Sequence, residues 1–172
     1  ASEIGGQFNV AKQIPGKDEF QETLRYFARQ LELNQVNVQL NTPVSAADLA
    51  GFDEVVLATG IRPRLPDIPG IDHPKVLTYL DVLKHKKPVG QKVAIIGAGG
   101  IGFDTAEYLS HGSDAAHGRD AFLREWGVDA ELATRGGLRA DGGQPPASPR
   151  EIYLLQRKSS KPGDGLGKTT GW

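Results

Sequence analysis

Three glycines at fixed spacing, Gly97, Gly99 and Gly102, with Gly100 and Ile101 between the last two, are the residues best suited to hold a ligand. They follow Lys92-Val93-Ala94-Ile95-Ile96, an apolar run rich in β-branched residues, and precede Phe103-Asp104-Thr105-Ala106-Glu107-Tyr108-Leu109, which has a helical pattern. A G-x-G-x-x-G run set between a strand and a helix points to a dinucleotide site. Gly97 permits the tight turn, Gly99 removes the Cβ that would keep a pyrophosphate off the main chain, and Gly102 lets helix and strand pack closely. The helix start turns N–H groups and a positive dipole end toward the phosphates. A glycine-rich turn with no ligand would share this outline, but the agreement of both flanking elements favours the dinucleotide.

The second set is Gln156-Arg157-Lys158, at the end of the apolar run Glu151-Ile152-Tyr153-Leu154-Leu155. In an NAD site an Asp or Glu ends the second strand and bonds the ribose hydroxyls, whereas an Arg nearby accommodates the extra phosphate of NADP. Here no carboxylate stands in the way and two cations are at hand. That favours NADP over NAD; the alternative is a solvated strand exit.

Composition narrows the remaining chemistry. With no Cys, disulfides, thiolate metal sites and iron–sulfur ligation are excluded within these 172 residues. A net charge of −1 offers no basic excess for nucleic acid or an anionic membrane surface. No run approaches the roughly 18 apolar residues of a membrane span, and no charged-then-apolar leader opens the sequence, so a cytoplasmic protein is expected. The hydrophobic content of 38% suits one or two small globular domains. The chain opens at Ala1, holds no Met and stops before the strands that would complete a doubly wound sheet, which reads as a piece of something longer.

The elements that must position these residues follow from periodicity. Ala1 to Lys17 has little of it and carries two turn signals, Gly5-Gly6 and Pro15-Gly16; the first is a place of close backbone approach or a plain surface loop. Phe20, Leu24, Phe27 and Leu31 line one face of a helix over Asp18–Leu33. The alternation of Gln35–Leu40 predicts a half-buried strand, ended by Pro43. A short helix over Ser45–Leu49 and a buried strand over Phe52–Gly60 complete an α/β pattern with a parallel sheet. Pro63, Pro66 and Pro69 make a stiff connector, counted with the following short helix (Val76–Lys87) as residues 63–90. Residues 110–150 are too long for an ordinary connection and read as a surface insertion, with a helical turn or two at Ala121–Trp126.

A Gly-Gly loop, a helix, a strand, an Ala58-Thr59-Gly60 strand end and a G-x-G-x-x-G unit, in that order, resemble the two-dinucleotide flavoprotein reductases. Three wordings are more specific: Glu3-Ile4-Gly5-Gly6-Gln7-Phe8-Asn9, Ile71-Asp72-His73-Pro74-Lys75-Val76-Leu77, and Gln156-Arg157-Lys158 with Gly165-Leu166-Gly167-Lys168-Thr169-Thr170-Gly171-Trp172. These look like the C-terminal half of the bacterial NADPH-dependent 2,4-dienoyl-CoA reductases. The resemblance implies Rossmann-like three-layer dinucleotide-binding domains, both incomplete: a partial FAD domain over 1–62 and a partial NADP domain over 91–172. It implies that NADPH meets Gly97, Gly99, Gly100, Ile101, Gly102, Gln156, Arg157 and Lys158. FAD would meet Gly6, Gln7, Lys17, Val44, Ala58, Thr59 and Gly60. In that family the FAD glycine motif and its acidic ribose partner precede the position matching Ala1. A β/α-barrel bearing FMN, a four-iron cluster and the dienoyl-CoA site would be the partner, so no catalytic residue falls in these residues. Two other readings share the layout: a related enoate reductase or amine dehydrogenase, and a non-catalytic Rossmann-like scaffold.

Overall fold

The computed structural model describes residues 1–112, 119–164 and 166. It divides into two compact units, Ala1–Lys87 and the residues from Pro88 onward.

In the first unit, the Gly5-Gly6 pair turns the chain with φ of +107° and +49° and launches α1, Phe8–Ala11. This helix lies where sequence periodicity predicts a loop. Four residues carry no period; tertiary contacts hold them instead. Asn9 donates from Nδ2 to the Ile4 carbonyl at 2.8 Å, and Phe8 meets Phe20 edge to face with centroids 5.0 Å apart. Val10 and Ile14 are buried. A side chain on Gly5 would overlap Leu24, so its absence lets α2, Phe20–Leu33, pack down on the turn. Lys12 adds a 2.8 Å bond from Nζ to Gln21 Oε1.

Beyond α2 the structure departs from expectation. Neither Gln35–Leu40 nor Phe52–Gly60 forms a strand, and both stretches are exposed, with Val56 and Leu57 at 87% and 82%. A strand exists only by pairing, and among the described residues nothing ladders with either stretch. Gln35 and Asn41, at φ of +54° and +55°, also break the extended path at both ends of the first. The helix expected over Ser45–Leu49 is a single 3-10 turn, Ala47–Leu49, whose Asp48 carboxylate accepts from the Ser45 N–H and hydroxyl at 2.8 and 2.7 Å.

The last helix of this unit, α3, spans only Tyr79–Leu83 of the expected Val76–Lys87. Thr78 and Asp81 set its start by a reciprocal capping box, with Asp81 Oδ2 accepting from Thr78 N and Oγ1 at 2.9 and 2.7 Å. The Lys87 ammonium, 2.6 Å from Asp81 Oδ1, and the Thr78 hydroxyl hold the Asp81 carboxyl well below the usual carboxylate range. Val82 and Leu83 are buried, and Lys86 reaches Gln13 Oε1 at 2.9 Å.

The second unit is an α/β unit as expected. Two strands, β1 (Lys92–Ile96) and β2 (Glu151–Leu155), pair in parallel from Lys92 opposite Glu151 to Ile96 opposite Leu155. Between them α4, Gly100–Ser110, returns the chain across one face of the pair. Burial therefore alternates: Val93, Ile95, Ile152 and Leu154 are half-buried, while Ile96 and Leu155 face outward at 74% and 48%. Leu109 is 2% exposed, and its carbonyl accepts from Arg150 Nη1 at 3.0 Å, tying the end of α4 to the start of β2 across the insertion.

Within the insertion, α5 spans Arg119–Glu125, so the helical turn expected near Ala121–Trp126 is present. An isolated antiparallel bridge joins Val128 to Leu138, and the Asp129 carboxylate accepts from Thr134 N and Oγ1 at 2.8 and 2.9 Å. Among the described residues no helix is long and apolar enough to cross a membrane.

Candidate nucleotide site

The site is built where β1 ends. The ladder runs one residue past the strand, with Gly97 N–H donating to the Leu155 carbonyl at 2.8 Å. Gly97 then takes φ +119°, a conformation closed to most side chains, and the chain turns into α4. Gly99 is the N-cap of α4, and Phe103 N–H makes the first intrahelical bond, to the Gly99 carbonyl at 3.0 Å. The N–H groups of Gly100, Ile101 and Gly102 precede that bond, so their donors belong to the helix mouth.

The three glycines have different surroundings. A Cβ built on Gly102 would overlap the Gly97 carbonyl oxygen and approach its carbon to 3.0 Å. No side chain fits there, and the first turn of α4 is drawn against the turn that precedes it. A Cβ on Gly99, or on Gly97, would meet nothing within 4 Å. Gly99 is exposed, so the main chain at the helix mouth lies open to an anion. Thr105 is buried, and its hydroxyl donates back to the Ile101 carbonyl at 2.7 Å, adding local order behind the mouth.

Parallel pairing in register brings the second set to the same edge. Leu155 lies opposite Ile96, so Gln156 leaves β2 beside Gly97. Arg157 and Lys158 follow, both exposed, in a bend over residues 157–160. Beyond it, Gly163 turns with φ +88° against the ring of Phe103, the position a Cβ would occupy being 3.4 Å from Cζ. The loop after β2 is thereby folded back on α4, near the end that carries the glycine corner. The Phe103 contact has no signal in the sequence beyond the Pro162-Gly163 turn. The stretch Gly167–Trp172 and Gly165, part of the specific wording noted above, lie outside the described residues.

The residues implicated in flavin binding sit on separate stretches of the first unit. Gly6 and Gln7 form the entry to α1, Lys17 lies in the turn between α1 and α2, and Val44 is 61% exposed. Ala58, Thr59 and Gly60 are exposed and irregular. A Cβ on Gly6 or Gly60 would meet nothing within 4 Å, so the backbone at both is open to close approach. Among the described residues no strand leads into Gly5-Gly6.

Residues 18–142 match the family described as pyridine nucleotide-disulphide oxidoreductase. The chain is 40% identical over 109 residues to cinnamate reductase of Clostridium sporogenes, covering 62% of this chain and 16% of that protein. It is 32% identical over 109 residues to bilirubin reductase of Mediterraneibacter gnavus, covering 62% of this chain and 17% of that protein. The chain thus spans about a sixth of the length of these curated relatives. A solved 2-naphthoyl-CoA reductase in complex with 2-naphthoyl-CoA has the same fold over 99% of this chain and 31% of its own, with a TM-score of 0.60 and 22% identity. The parallel βαβ corner and the match over residues 18–142 agree, and the chain belongs to the pyridine nucleotide-disulphide oxidoreductase family of flavin-dependent NAD(P)H oxidoreductases.

Proposed function

We propose that this chain is the portion of a flavoprotein 2,4-dienoyl-CoA reductase that receives a hydride from NADPH and delivers it to FAD. It would serve the reduction of unsaturated fatty acyl-CoA in the cytoplasm. The observation that carries the nucleotide half is the corner itself: Gly102 closed against Gly97, and Gly99 open at the mouth of α4. The diphosphate rests on the N–H groups of Gly100, Ile101 and Gly102, where a charge-assisted bond needs no side chain. Arg157 and Lys158, carried to the same edge by Gln156, take the 2′-phosphate. FAD, when bound, supplies a two-electron acceptor for the nicotinamide hydride. Gly6, Gln7, Lys17, Val44, Ala58, Thr59 and Gly60 form this chain's share of its site.

The domain assignment follows the same division, with residues 1–62 on the flavin side, 63–90 as connector and 91–172 on the NADPH side. The remainder of a longer chain, a barrel holding FMN, an iron–sulfur cluster and the dienoyl-CoA site, is the partner; nucleic acid and membrane are not. The 40% identity with cinnamate reductase favours a second reading, an enoate-type reductase acting on another conjugated alkene.

Coenzyme preference is tested by titrating the chain with NADPH and NADH by calorimetry. NADPH should bind about tenfold more tightly, and Arg157→Ala should erase most of that difference while leaving NADH affinity within about twofold, as expected for one charge-assisted contact. Equal affinities in the unaltered chain would contradict the NADPH assignment.

A further inference from the structure

We propose that Gln156 is a positioning residue for coenzyme choice, one that acts through Arg157 and Lys158 and does not touch the nucleotide. The inference rests on the NADPH reading above and assigns a distinct role to one of its residues. Gln156 stands at the strand exit, half-buried, where a residue in an NAD site would reach the ribose. Its side chain is otherwise engaged. Nε2 donates to the Lys158 carbonyl at 3.0 Å and also to the Ser160 carbonyl. A primary amide has two donor hydrogens, and both are spent.

Those two bonds close residues 157–160 into a bend around the Gln156 amide. Tying the carbonyls of Lys158 and Ser160 to the Gln156 side chain limits the paths open to the main chain between them and the strand exit, and with them the directions in which the Arg157 and Lys158 side chains leave it. The far side of the loop is held as well, by the Asp164 N–H to Lys161 carbonyl bond at 3.0 Å and by Gly163 against Phe103. A loop fixed at its root by a side-chain amide and at its far side by α4 gives the two exposed cations a defined place beside the glycine corner. Without the amide, two carbonyls turned toward Gln156 lose their donors, and the cations sample many directions. The entropy of ordering long basic side chains would then fall on the binding step.

The test is Gln156→Leu, which keeps the bulk and removes both donors. Two readouts are taken on the same protein. The first uses no nucleotide: limited trypsin digestion followed by mass spectrometry, with cleavage after Arg157 and Lys158 expected about tenfold faster and the far-ultraviolet circular dichroism unchanged. The second is nucleotide titration, with the NADPH dissociation constant raised about tenfold and that of NADH within twofold. In an Arg157→Ala, Lys158→Ala background, Gln156→Leu should have no further effect on either nucleotide.

A persisting effect in that background would mean direct contact and would overturn the proposal. So would an unchanged cleavage rate, or an equal loss of both nucleotides, which marks a merely structural residue. If cleavage quickens while Arg157→Ala leaves the preference of the unaltered chain untouched, the NADPH reading itself has failed, and the role of Gln156 in preference fails with it.

Discussion

Gly102→Ala is expected to destabilise the second unit by about 3 kcal/mol and to abolish nucleotide binding at concentrations that saturate the unaltered chain. The added methyl would overlap the Gly97 carbonyl oxygen, a main-chain atom that cannot swing aside. Overpacking a close contact costs about 1–3 kcal/mol, and the upper end applies where the obstacle is backbone. Relief requires α4 to move off the turn, which withdraws the N–H groups of its first turn and disturbs the contact between Gly102 and Leu154, 3.5 Å from where the new carbon would sit. Urea unfolding monitored by circular dichroism reads the loss; an unchanged midpoint would contradict the close approach of Gly102 to the Gly97 carbonyl.

Gly99→Ala is expected to lose binding as well, but with stability kept. Gly99 has φ −95° and ψ −177°, extended backbone that any residue adopts, and a Cβ there would meet nothing within 4 Å. Alanine is a poorer N-cap than glycine but also restricts the unfolded chain, so the net change in stability should stay within about 0.5 kcal/mol. A bound diphosphate, however, must lie against this stretch of main chain. Holding it off by the width of a methyl group forfeits about two charge-assisted hydrogen bonds, on the order of 3 kcal/mol, or about 100-fold in affinity. Urea unfolding of both variants separates the two glycines, and calorimetric titration reads the loss of affinity at Gly99. If Gly99→Ala bound NADPH normally, the phosphates would lie elsewhere.

The nucleotide corner was legible in the sequence because its signals are local and agree with one another. An apolar β-branched run, three glycines at fixed spacing and an amphipathic stretch each specify their own conformation, and parallel pairing of Lys92–Ile96 with Glu151–Leu155 follows from the βαβ arrangement. What was less legible depends on partners. Gln35–Leu40 and Phe52–Gly60 have the alternation or apolar run of strands, yet pairing is a property of two segments, and neither stretch finds its neighbour among the described residues. Helix α1 is the converse case. Phe8–Ala11 is too short for a period and is fixed by the Asn9 to Ile4 bond and by the burial of Val10 and Ile14.

Helix α3 carried a usable sign that periodicity alone overlooks. Thr78-x-x-Asp81 is a capping pattern, and it places the helix start three residues later than the expected Val76. The Gln156 amide has no such sign, since a side chain that closes its own loop leaves no spacing to read. At the site, the sequence identified the residue types; the structure added that Gly97 and Gln156 lie side by side and that Phe103 anchors the loop bearing the two cations.

Mapping the amide resonances of the chain by NMR during titration with NADPH tests most directly whether a diphosphate sits at the mouth of α4. The largest changes should fall on Gly99, Gly100, Ile101 and Gly102, with a second group at Gln156 to Lys158 that is weaker or absent with NADH. Saturable binding that leaves the Gly99–Gly102 amides unmoved would contradict the site itself.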